Sequence, residues 1–482
     1  MRRWRLVLFL LLFAVGARSA AAAPGTGPKT FQLANGLQVA LAPDSFATTV
    51  DVALWFPAGS RHEATRFTGL THLMDGLLFA GTPGHPSGDQ RRLIQREGGA
   101  VNAFSTPDYA CADDNVPPAA LDLALRLEAD RMQHLEITDR TLAAVKGALA
   151  QEHATSQGAS PLGQAMRRLY GVAFAGHTYR FPVQGNSEDL ARLTLPVVQA
   201  WWRDHYGPAG TWLTVTGAFD PATAEAMVRR AFGPVPKRGT HPAEPPAPAR
   251  QIVEHRGSGT IAAQVPLLLV GYRTAADRTT DAAALEALDH LLSSGTRTPL
   301  QRALIADTTV CLALEGGLDL RREAGLYHLV AAIRPDADSA SAQQEVLDAF
   351  QRLATSPVSD ADLAATVKQI ELQSMLARQS SLGAGLVLGA EVATGAAFSS
   401  EDERLERTRA LTPASVRDVA ERTFTSGHRT VIWMRPAPAA PPPAPQKSSG
   451  AKSTAPKSSA PKSTAPKAAP PKGAAPASKG GP

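Results

Sequence analysis

A proline-rich stretch near the middle of the chain is the feature that most constrains its fold. The segment KRGTHPAEPPAPAR, from Lys237 to Arg250, contains four prolines in fourteen residues. Proline has no backbone N–H and clashes with the preceding helical turn, so neither a helix nor a central strand continues through it. Such a composition forms a semi-rigid spacer. We predict a linker at residues 241–250 that separates an N-terminal domain, residues 23–240, from a C-terminal domain, residues 251–435.

Both halves mix strand-like and helical patterns. In the first half, Phe31–Leu41 and Thr49–Phe56 alternate apolar and polar residues as strands do. Apolar residues at helical spacing occur in Phe67–Ala80, Leu121–His134 and Asp139–Ser156. In the second half, strands are predicted at Ala262–Tyr272, Val310–Leu314 and Gly325–Ile333, and helices at Asp281–Leu292 and from Ser339 onward. We therefore predict an α+β fold with two similar domains in tandem, each a mixed sheet packed against helices.

The two ends of the chain differ from the body in composition. In residues 1–22, three arginines precede an apolar run from Leu6 to Val15 that is too short to span a bilayer. This pattern is typical of a cleavable secretory signal, so we expect a periplasmic or secreted protein. Residues 436–482 are mainly Pro, Ala, Ser, Lys and Gly, and bury too little apolar surface to fold. We predict a disordered tail that is either simply solvated or a cationic tether to an anionic envelope polymer.

The net charge excludes one class of function. The chain has 49 basic and 44 acidic residues, a formal charge of +5, but four arginines of the signal and seven lysines of the tail leave the body at −6. A nucleic-acid-binding fold would concentrate basic residues on the folded domain. Two cysteines, Cys111 and Cys311, are too few for a disulfide scaffold. They are either separate buried apolar side chains or, in an exported protein, one disulfide.

The most informative segment runs from Gly59 to Thr82, GSRHEATRFTGLTHLMDGLLFAGT. On a helix, residues three and four apart share a face, so His72, Asp75 and Gly76 form one stripe. The inverted zinc motif H-x-x-E-H uses this spacing, with two imidazoles one turn apart on the metal and a glutamate that acts on the metal-bound water. The frame is present in this chain, but two of its three functional positions have changed.

Further segments accompany this motif. The set comprises Gly59-Ser60-Arg61, Glu63, Gly69, His72, Phe79, Gly81-Thr82, Gly98-Gly99, Asn102-Ala103-Phe104, Glu152, His177-Thr178-Tyr179, Pro182-Val183 and Gly185. Together these residues resemble the M16 metallopeptidases, the family of pitrilysin, insulin-degrading enzyme and the mitochondrial processing peptidase. The resemblance covers roughly residues 29–435. The resemblance implies that both halves are M16-type domains.

The resemblance also implies a zinc site that has lost most of its groups. His72 takes the position of the first ligand, and Glu152, 76 residues after Gly76, takes that of the distal ligand. Asp75 stands in the general-base position and Gly76 in that of the second histidine. A catalytic zinc normally has three protein ligands and a water. We therefore expect no cofactor, unless the residual site holds zinc.

The second half departs from the family in the same way. Active members resemble one another in a C-terminal Arg and Tyr, seven residues apart, that hold the substrate. Ile305 and Leu312 stand in those positions, and the nearby Arg302 is three residues out of register. The resemblance therefore implies an inactive paralogue rather than the complementary half-site subunit of a split enzyme.

Each site residue also has a purely structural interpretation. His72 lies among leucines and is equally well a core histidine, and Glu152 is equally well a solvated helix residue. We do not expect His85 or His153 to replace the missing ligand, because His85 follows a turn and His153 points about 100° away from Glu152 on its helix.

The stretch from Gly98 to Ser105 suggests a function that needs no zinc. In the family, the strand that contains Asn102, Ala103 and Phe104 is an edge that receives an extended peptide by β-addition. The alternative is a strand merely packed in a sheet.

Our leading hypothesis is an exported, catalytically inactive homologue. It would form half of a clam-shell chamber with an M16 partner that carries an intact zinc motif, and it would bind unfolded peptides. Two alternatives remain open. One is an active zinc endopeptidase with a rearranged site that uses His72, Glu152 and Asp75, and the other is a stand-alone envelope-binding module anchored by its tail.

Overall fold

A computed structural model describes residues 27–157, 160–293, 298–307, 310–395, 398 and 400–437. The predicted signal at residues 1–22 lies outside the described residues, and so does the predicted tail, residues 436–482, apart from its first two residues. Of these two, Pro436 is the last residue of a strand. Within the described ranges the chain forms two mixed β-sheets packed against helices, which confirms the α+β class. No helix in these ranges is both long enough and apolar enough to cross a membrane.

The first half contains one sheet and eight α-helices among its described residues. Its strands are Lys29–Gln32 (β1), Gln38–Pro43 (β2), Val50–Phe56 (β3), Ala100–Ser105 (β4), Ala110–Val116 (β5) and Trp212–Gly217 (β6). Its helices are Leu70–Leu77 (α1), Asp89–Arg96 (α2), Leu121–His134 (α3), Asp139–Glu152 (α4), Pro161–Ala173 (α5), Ser187–Arg192 (α6), Leu195–His205 (α7) and Pro221–Phe232 (α8). A π-helical turn, His153–Gln157, follows α4 directly.

The second half repeats the arrangement. Its strands are His255–Ile261 (β7), Leu267–Thr274 (β8), Cys311–Asp319 (β9), Gly325–Ile333 (β10) and Arg429–Pro436 (β11). Its helices are Ala282–Ser293 (α9), Pro299–Gln301 (α10), Ser339–Thr355 (α11), Asp360–Ala377 (α12), Ser381–Ala393 (α13), Ser400–Arg409 (α14) and Pro413–Thr423 (α15). The predicted linker lies between α8 and β7, where residues 233–254 contain no helix or strand.

The two sheets have the same strand order. The first is β1-β2-β6-β3-β5-β4 and the second is β7-β11-β8-β10-β9. Apart from the additional strand β1, each sheet has one parallel pair, β2 with β6 or β7 with β11, and is otherwise antiparallel. The edge strands β4 and β9 are therefore equivalent. This repetition confirms two similar domains in tandem.

Two strand predictions were wrong in detail. The predicted strand Phe31–Leu41 is two antiparallel strands, β1 and β2, because the chain turns at Gly36, which adopts a left-handed conformation (φ +95°). The predicted strand at Ala262 begins only at Leu267, and the strand before it, β7, is not apparent in the sequence. Gly257 and Gly259 interrupt the alternation of β7, which removes the signal that would have identified it.

Each sheet is covered on one face by a helix from the other half of the chain. Helix α5 packs on β7, β8 and β11, where Leu169 joins Leu269 and Ile432 in one apolar cluster. Helix α13 packs on β3 and β6, and its Gly389 lies directly against Trp55. Neither half therefore completes its core without the other.

The two cysteines are buried and free. Cys111, on β5, packs in the cluster around Trp55, whereas Cys311, on β9, belongs to the core of the second half. The structure therefore supports the interpretation that they are separate apolar side chains.

A buried carboxyl lies beneath α13. Asp51, on β3, is fully buried, and a Cβ atom added to Gly385 of α13 would lie 2.3 Å from Asp51 Oδ2. Burial and, to a lesser degree, the charge of Asp113 raise the pKa of Asp51 well above its ordinary value, and Asn115 opposes this shift. The folded protein thus favours the protonated form of Asp51.

We expect Asp51→Asn to stabilise the protein at pH 8 more than at pH 4. A carboxyl with a raised pKa in the folded state contributes its full stability below its unfolded pKa of about 3.9, and this contribution is lost as the pH rises towards the folded value. Asparagine does not titrate, so the variant loses less stability over the same range. Thermal unfolding at both pH values measures the difference. The exposed Asp418→Asn is the matched control, and equal pH dependence in Asp51→Asn and the wild type would contradict the prediction.

Candidate functional site

The start of α1 is fixed by a buried glutamate. Glu63 is almost fully buried and accepts hydrogen bonds from the backbone N–H groups of Gly69 (2.8 Å) and Thr71 (2.6 Å). Burial raises the pKa of Glu63 to about 8, although these N–H groups lower it. Gly69 has φ +87°, and a Cβ there would lie 2.6 Å from the carbonyl oxygen of Gln184. These contacts fix the start of α1 and therefore the direction of the helix face that carries His72, Asp75 and Gly76.

The three residues of the predicted metal site meet at His72. Its Nδ1 lies 3.2 Å from Asp75 Oδ2 on the same helix, and its Nε2 lies 3.3 Å from Glu152 Oε2 at the end of α4. The predicted proximity of residues 72 and 152, which are 80 positions apart, is therefore present in the fold. Both ring nitrogens of the half-buried imidazole face a carboxylate.

One member of this cluster was missed by sequence reasoning. Ser105, the last residue of β4, donates a hydrogen bond of 2.7 Å from its Oγ to Asp75 Oδ2. No spacing rule relates a strand residue to a helix 30 positions earlier, so only the fold shows this contact. The cluster therefore links α1, α4 and the end of the edge strand β4.

The electrostatics follow from burial and these contacts. Burial lowers the pKa of His72, but the hydrogen bond to Asp75 and the charges of Asp75 and Glu152 outweigh it and raise the pKa above its ordinary value. Burial raises the pKa of Asp75, and the hydrogen bonds from His72 and Ser105 only partly offset this. The raised pKa of His72 favours its imidazolium form, whereas the raised pKa of Asp75 makes its ionised form less favourable than that of an exposed aspartate.

The residues present do not fit a catalytic zinc. Among the described residues, no group of three or more His, Cys, Asp or Glu side chains is arranged to hold a metal ion. At the position of the second histidine, a Cβ on Gly76 would lie 2.6 Å from Val145 Cγ1 of α4. A catalytic zinc site needs three protein ligands and an open position, and His72 and Glu152 supply two ligand side chains that already contact each other.

Neither neighbouring histidine is directed into the cluster. His85 Nδ1 lies 3.2 Å from Asp89 Oδ2, and His153 Nε2 lies 3.0 Å from the carbonyl oxygen of Gln184. The residues at the family's C-terminal Arg and Tyr positions are equally unsuited to polarise a carbonyl. Ile305 packs at the border of the second core, and Leu312 on β9 is half exposed.

The predicted peptide-binding strand is an edge strand. Within the described residues, β4 pairs only with β5, and no strand covers its other side. Asn102 is exposed and donates a hydrogen bond from Nδ2 to Asp113 Oδ1 (3.3 Å), and Phe104 packs edge-to-face on Trp55 with 6.1 Å between ring centroids. Ala103, on the opposite face, packs against the core of the first half.

Two cavities open beside the turn that follows β4, and Pro107 lines both. The larger, about 950 Å³, lies between the two halves and is lined by charged side chains such as Arg278 and Arg404. The smaller, about 470 Å³, is lined mainly by apolar groups that include Met166 and Phe181. The end of the edge strand that contacts the His72 cluster therefore lies next to space large enough for several side chains.

Arg61 connects the site to the rest of the molecule. Its side chain is fully buried; its Nε lies 3.2 Å from Asp108 Oδ1, its Nη1 lies 3.2 Å from Glu323 Oε1, and its Nη2 binds Glu244. Asp108 follows β4, Glu244 lies in the predicted linker, and Glu323 lies between β9 and β10. In the sequence, Arg61 is only one residue of a motif; its partners are too distant for any local pattern to reveal them.

The comparisons with known proteins agree with this fold. Residues 38–180 match the family model described as "Insulinase (Peptidase family M16)", and residues 192–370 match "Peptidase M16 inactive domain". The chain therefore belongs to the M16 peptidase family. Among its relatives is the zinc protease PqqE of Helicobacter pylori, 23% identical over 363 residues, which cover 73% of this chain and 81% of that protein.

Solved structures show the same architecture. A protease from Helicobacter pylori superposes with a TM-score of 0.79 at 20% identity, covering 85% of this chain and 100% of that one. A peptidase M16 inactive domain from Pseudomonas fluorescens gives 0.77 at 19% identity, covering 86% and 100%. The first half of the periplasmic protease PqqL of Escherichia coli gives 0.69 at 15% identity, covering 85% and 92%. At these identities the likeness shows the fold alone.

Proposed function

We propose that this protein is a non-catalytic M16-family subunit, periplasmic or secreted, that binds extended peptides and encloses them together with a zinc-bearing M16 partner. The observation that carries the proposal is the state of the former metal site. Its one histidine is bounded by two carboxylates, and the second ligand position is a glycine packed against Val145.

Peptide binding is supported by the geometry of β4. Its outer side offers backbone N–H and C=O groups to an added strand, and main-chain pairing gives affinity without a demand on sequence. Natural proteins usually protect such edges with charged residues, prolines or a covering element. The sequence of β4, AVNAFS, contains no charge and no proline. The adjoining cavities provide room for the side chains of a bound peptide.

Pairing with a second M16 chain is supported by size and fold. The whole PqqL protease of Escherichia coli superposes over 86% of this chain but only 48% of its own, with a TM-score of 0.68. This chain thus corresponds in fold to one half of that protease, and a partner of the same family would supply the other half. The predicted signal and the periplasmic location stated for PqqL support export.

We expect the purified protein to contain no stoichiometric zinc after dialysis against micromolar zinc. Elemental analysis measures this, with His72→Ala as the control. Zinc that is present in the wild type and lost in His72→Ala would favour the alternative of a rearranged zinc endopeptidase and would contradict a non-catalytic role.

We expect an unstructured labelled peptide and its scrambled sequence to bind with equal affinity, because recognition is through the main chain. The same peptide methylated on alternate backbone nitrogens loses several hydrogen bonds of about 1 kcal/mol each and should bind at least about tenfold more weakly. Fluorescence anisotropy measures both. A methylated peptide that binds as tightly as the original would show that β-addition is not the binding mode.

The partner model has its own test. Mixing the protein with a purified M16 homologue that carries an intact H-x-x-E-H motif should give a one-to-one complex in size-exclusion chromatography with light scattering. If the protein and the homologue elute as two separate peaks for every homologue encoded beside its gene, the partner model is wrong and the protein would bind peptides alone.

A further inference from the structure

The contact between Gly76 and α4 is closer than a side chain at residue 76 would allow. Helix α1 packs against α4, and Val145 Cγ1 lies 2.6 Å from the position that a Cβ on Gly76 would take. Cβ atoms in proteins essentially never come within 3.0 Å of a non-bonded heavy atom of a residue outside their immediate chain neighbours. The volume in which a second ligand side chain would begin is therefore filled by the valine.

We infer that Val145 and Gly76 form a matched pair that closes the former metal centre. The inference rests on the proposed non-catalytic function and deepens it, because it names the residue that excludes the metal. The site thus differs from an intact one at Val145 as well as at residue 76. Helix α4 presents a branched side chain where a zinc site would require open space, so replacing Gly76 by histidine does not by itself restore a ligand.

Val145 cannot easily move aside. Valine is branched at Cβ and has one strongly preferred rotamer in a helix. Its side chain is half-buried against the core of the first half. The two helices cannot separate freely either, because Leu73 and Leu77 of α1 and Leu142 and Leu149 of α4 are buried in that same core. A larger residue at position 76 must therefore displace packed atoms.

The side chains of the closed site hold three elements of the fold together. With no room for a second imidazole, His72 contacts Asp75 and Glu152 through its two nitrogens, and Ser105 contacts Asp75. These contacts join α1 to the end of α4 and to the edge strand. In an intact motif these groups would serve a metal. In this protein they instead hold β4, the proposed peptide-binding edge, in place.

A test without metal is the double-mutant cycle of Gly76→Ala and Val145→Ala. Alanine normally stabilises a helix interior relative to glycine. We expect Gly76→Ala to lower the urea midpoint in the wild-type background but to raise it in the Val145→Ala background. If Gly76→Ala stabilises the protein in both backgrounds, Val145 does not occupy the position and the inference is overturned.

A second test uses zinc and cobalt directly. The variant Asp75→Glu/Gly76→His should bind less than a tenth of an equivalent of zinc, whereas the same variant with Val145→Ala should bind about one equivalent and give the visible absorption of tetrahedral cobalt(II). Val145→Ala alone is the control and should bind none. Stoichiometric zinc in Asp75→Glu/Gly76→His, or none in a folded triple variant, overturns the inference while the proposed function stands. Zinc in the wild type would overturn both.

Discussion

Replacing Arg61 by alanine is expected to lower the free energy of unfolding by about 3–5 kcal/mol, the usual cost of removing one partner from a buried ion pair. The guanidinium is fully buried, and Asp108, the most buried of its three carboxylate partners, is almost fully buried as well. Removing Arg61 leaves Asp108 with the hydroxyl of Tyr179 and the backbone N–H of Arg322 as its hydrogen-bond donors. Glu244 and Glu323 are partly exposed, so water can replace part of their lost pairing.

Urea unfolding followed by circular dichroism measures this loss. Arg203→Ala is the matched control, because Arg203 is 62% exposed and pairs with its neighbour Asp204. An exposed ion pair of this kind contributes about 0–1 kcal/mol. If Arg61→Ala lowers the free energy of unfolding by less than about 1 kcal/mol, other contacts hold the linker to the β4–β5 and β9–β10 turns, which carry Asp108 and Glu323.

Gly389→Ala is expected to have the second large effect, a loss of about 3 kcal/mol, at the upper end of what overpacking usually costs. A Cβ at residue 389 would lie 1.8 Å from Cε2 of Trp55, which is itself buried and donates a hydrogen bond from Nε1 to Thr214 Oγ1 (2.9 Å). The tryptophan cannot retreat into the sheet without breaking this bond. Helix α13 must therefore lift away from β3 and β6.

The matched control is Gly147→Ala, in the middle of α4. A Cβ there meets no atom within 4 Å among the described residues, so alanine should gain up to about 1 kcal/mol from its higher helix propensity. The two variants make the same chemical change and are expected to shift the urea midpoint in opposite directions. Hydrogen exchange should also show faster exchange in α13 of Gly389→Ala. A stabilised Gly389→Ala would contradict the close contact with Trp55.

Much of the fold could be predicted from local patterns. Helix α8, for example, begins at Pro221 directly after a capping residue, Asp220, whose carboxylate accepts a hydrogen bond from the N–H of Thr223 (2.8 Å). The resemblance to the M16 family, rather than a local pattern, implied that His72 and Glu152 belong to one site, and the fold does bring their side chains to 3.3 Å. Strand β7 could not be predicted in this way, since its glycines remove the periodicity.

The rest of the fold and of the site could not be predicted, because it depends on contacts between elements that are far apart in the sequence. Ser105, Val145 and Arg61 complete or close the site through neighbours that are 30, 69 and up to 262 positions away. The sequence shows that the second histidine is missing, but it does not show which side chain occupies the space where that histidine would lie. Likewise, the helices predicted from Ser339 onward include α13, but nothing in the sequence indicates that α5 and α13 each pack on the sheet of the other half.

This exchange of helices determines the order in which the chain can fold as it is synthesised. The first sheet is complete when β6 ends at Gly217, but α13, which covers one of its faces, begins only at Ser381. At about 5–20 residues per second, the ribosome needs on the order of ten seconds to make the intervening segment. During that interval Trp55 and its neighbours remain uncovered. The protein is therefore expected to need a holding chaperone until its second half emerges.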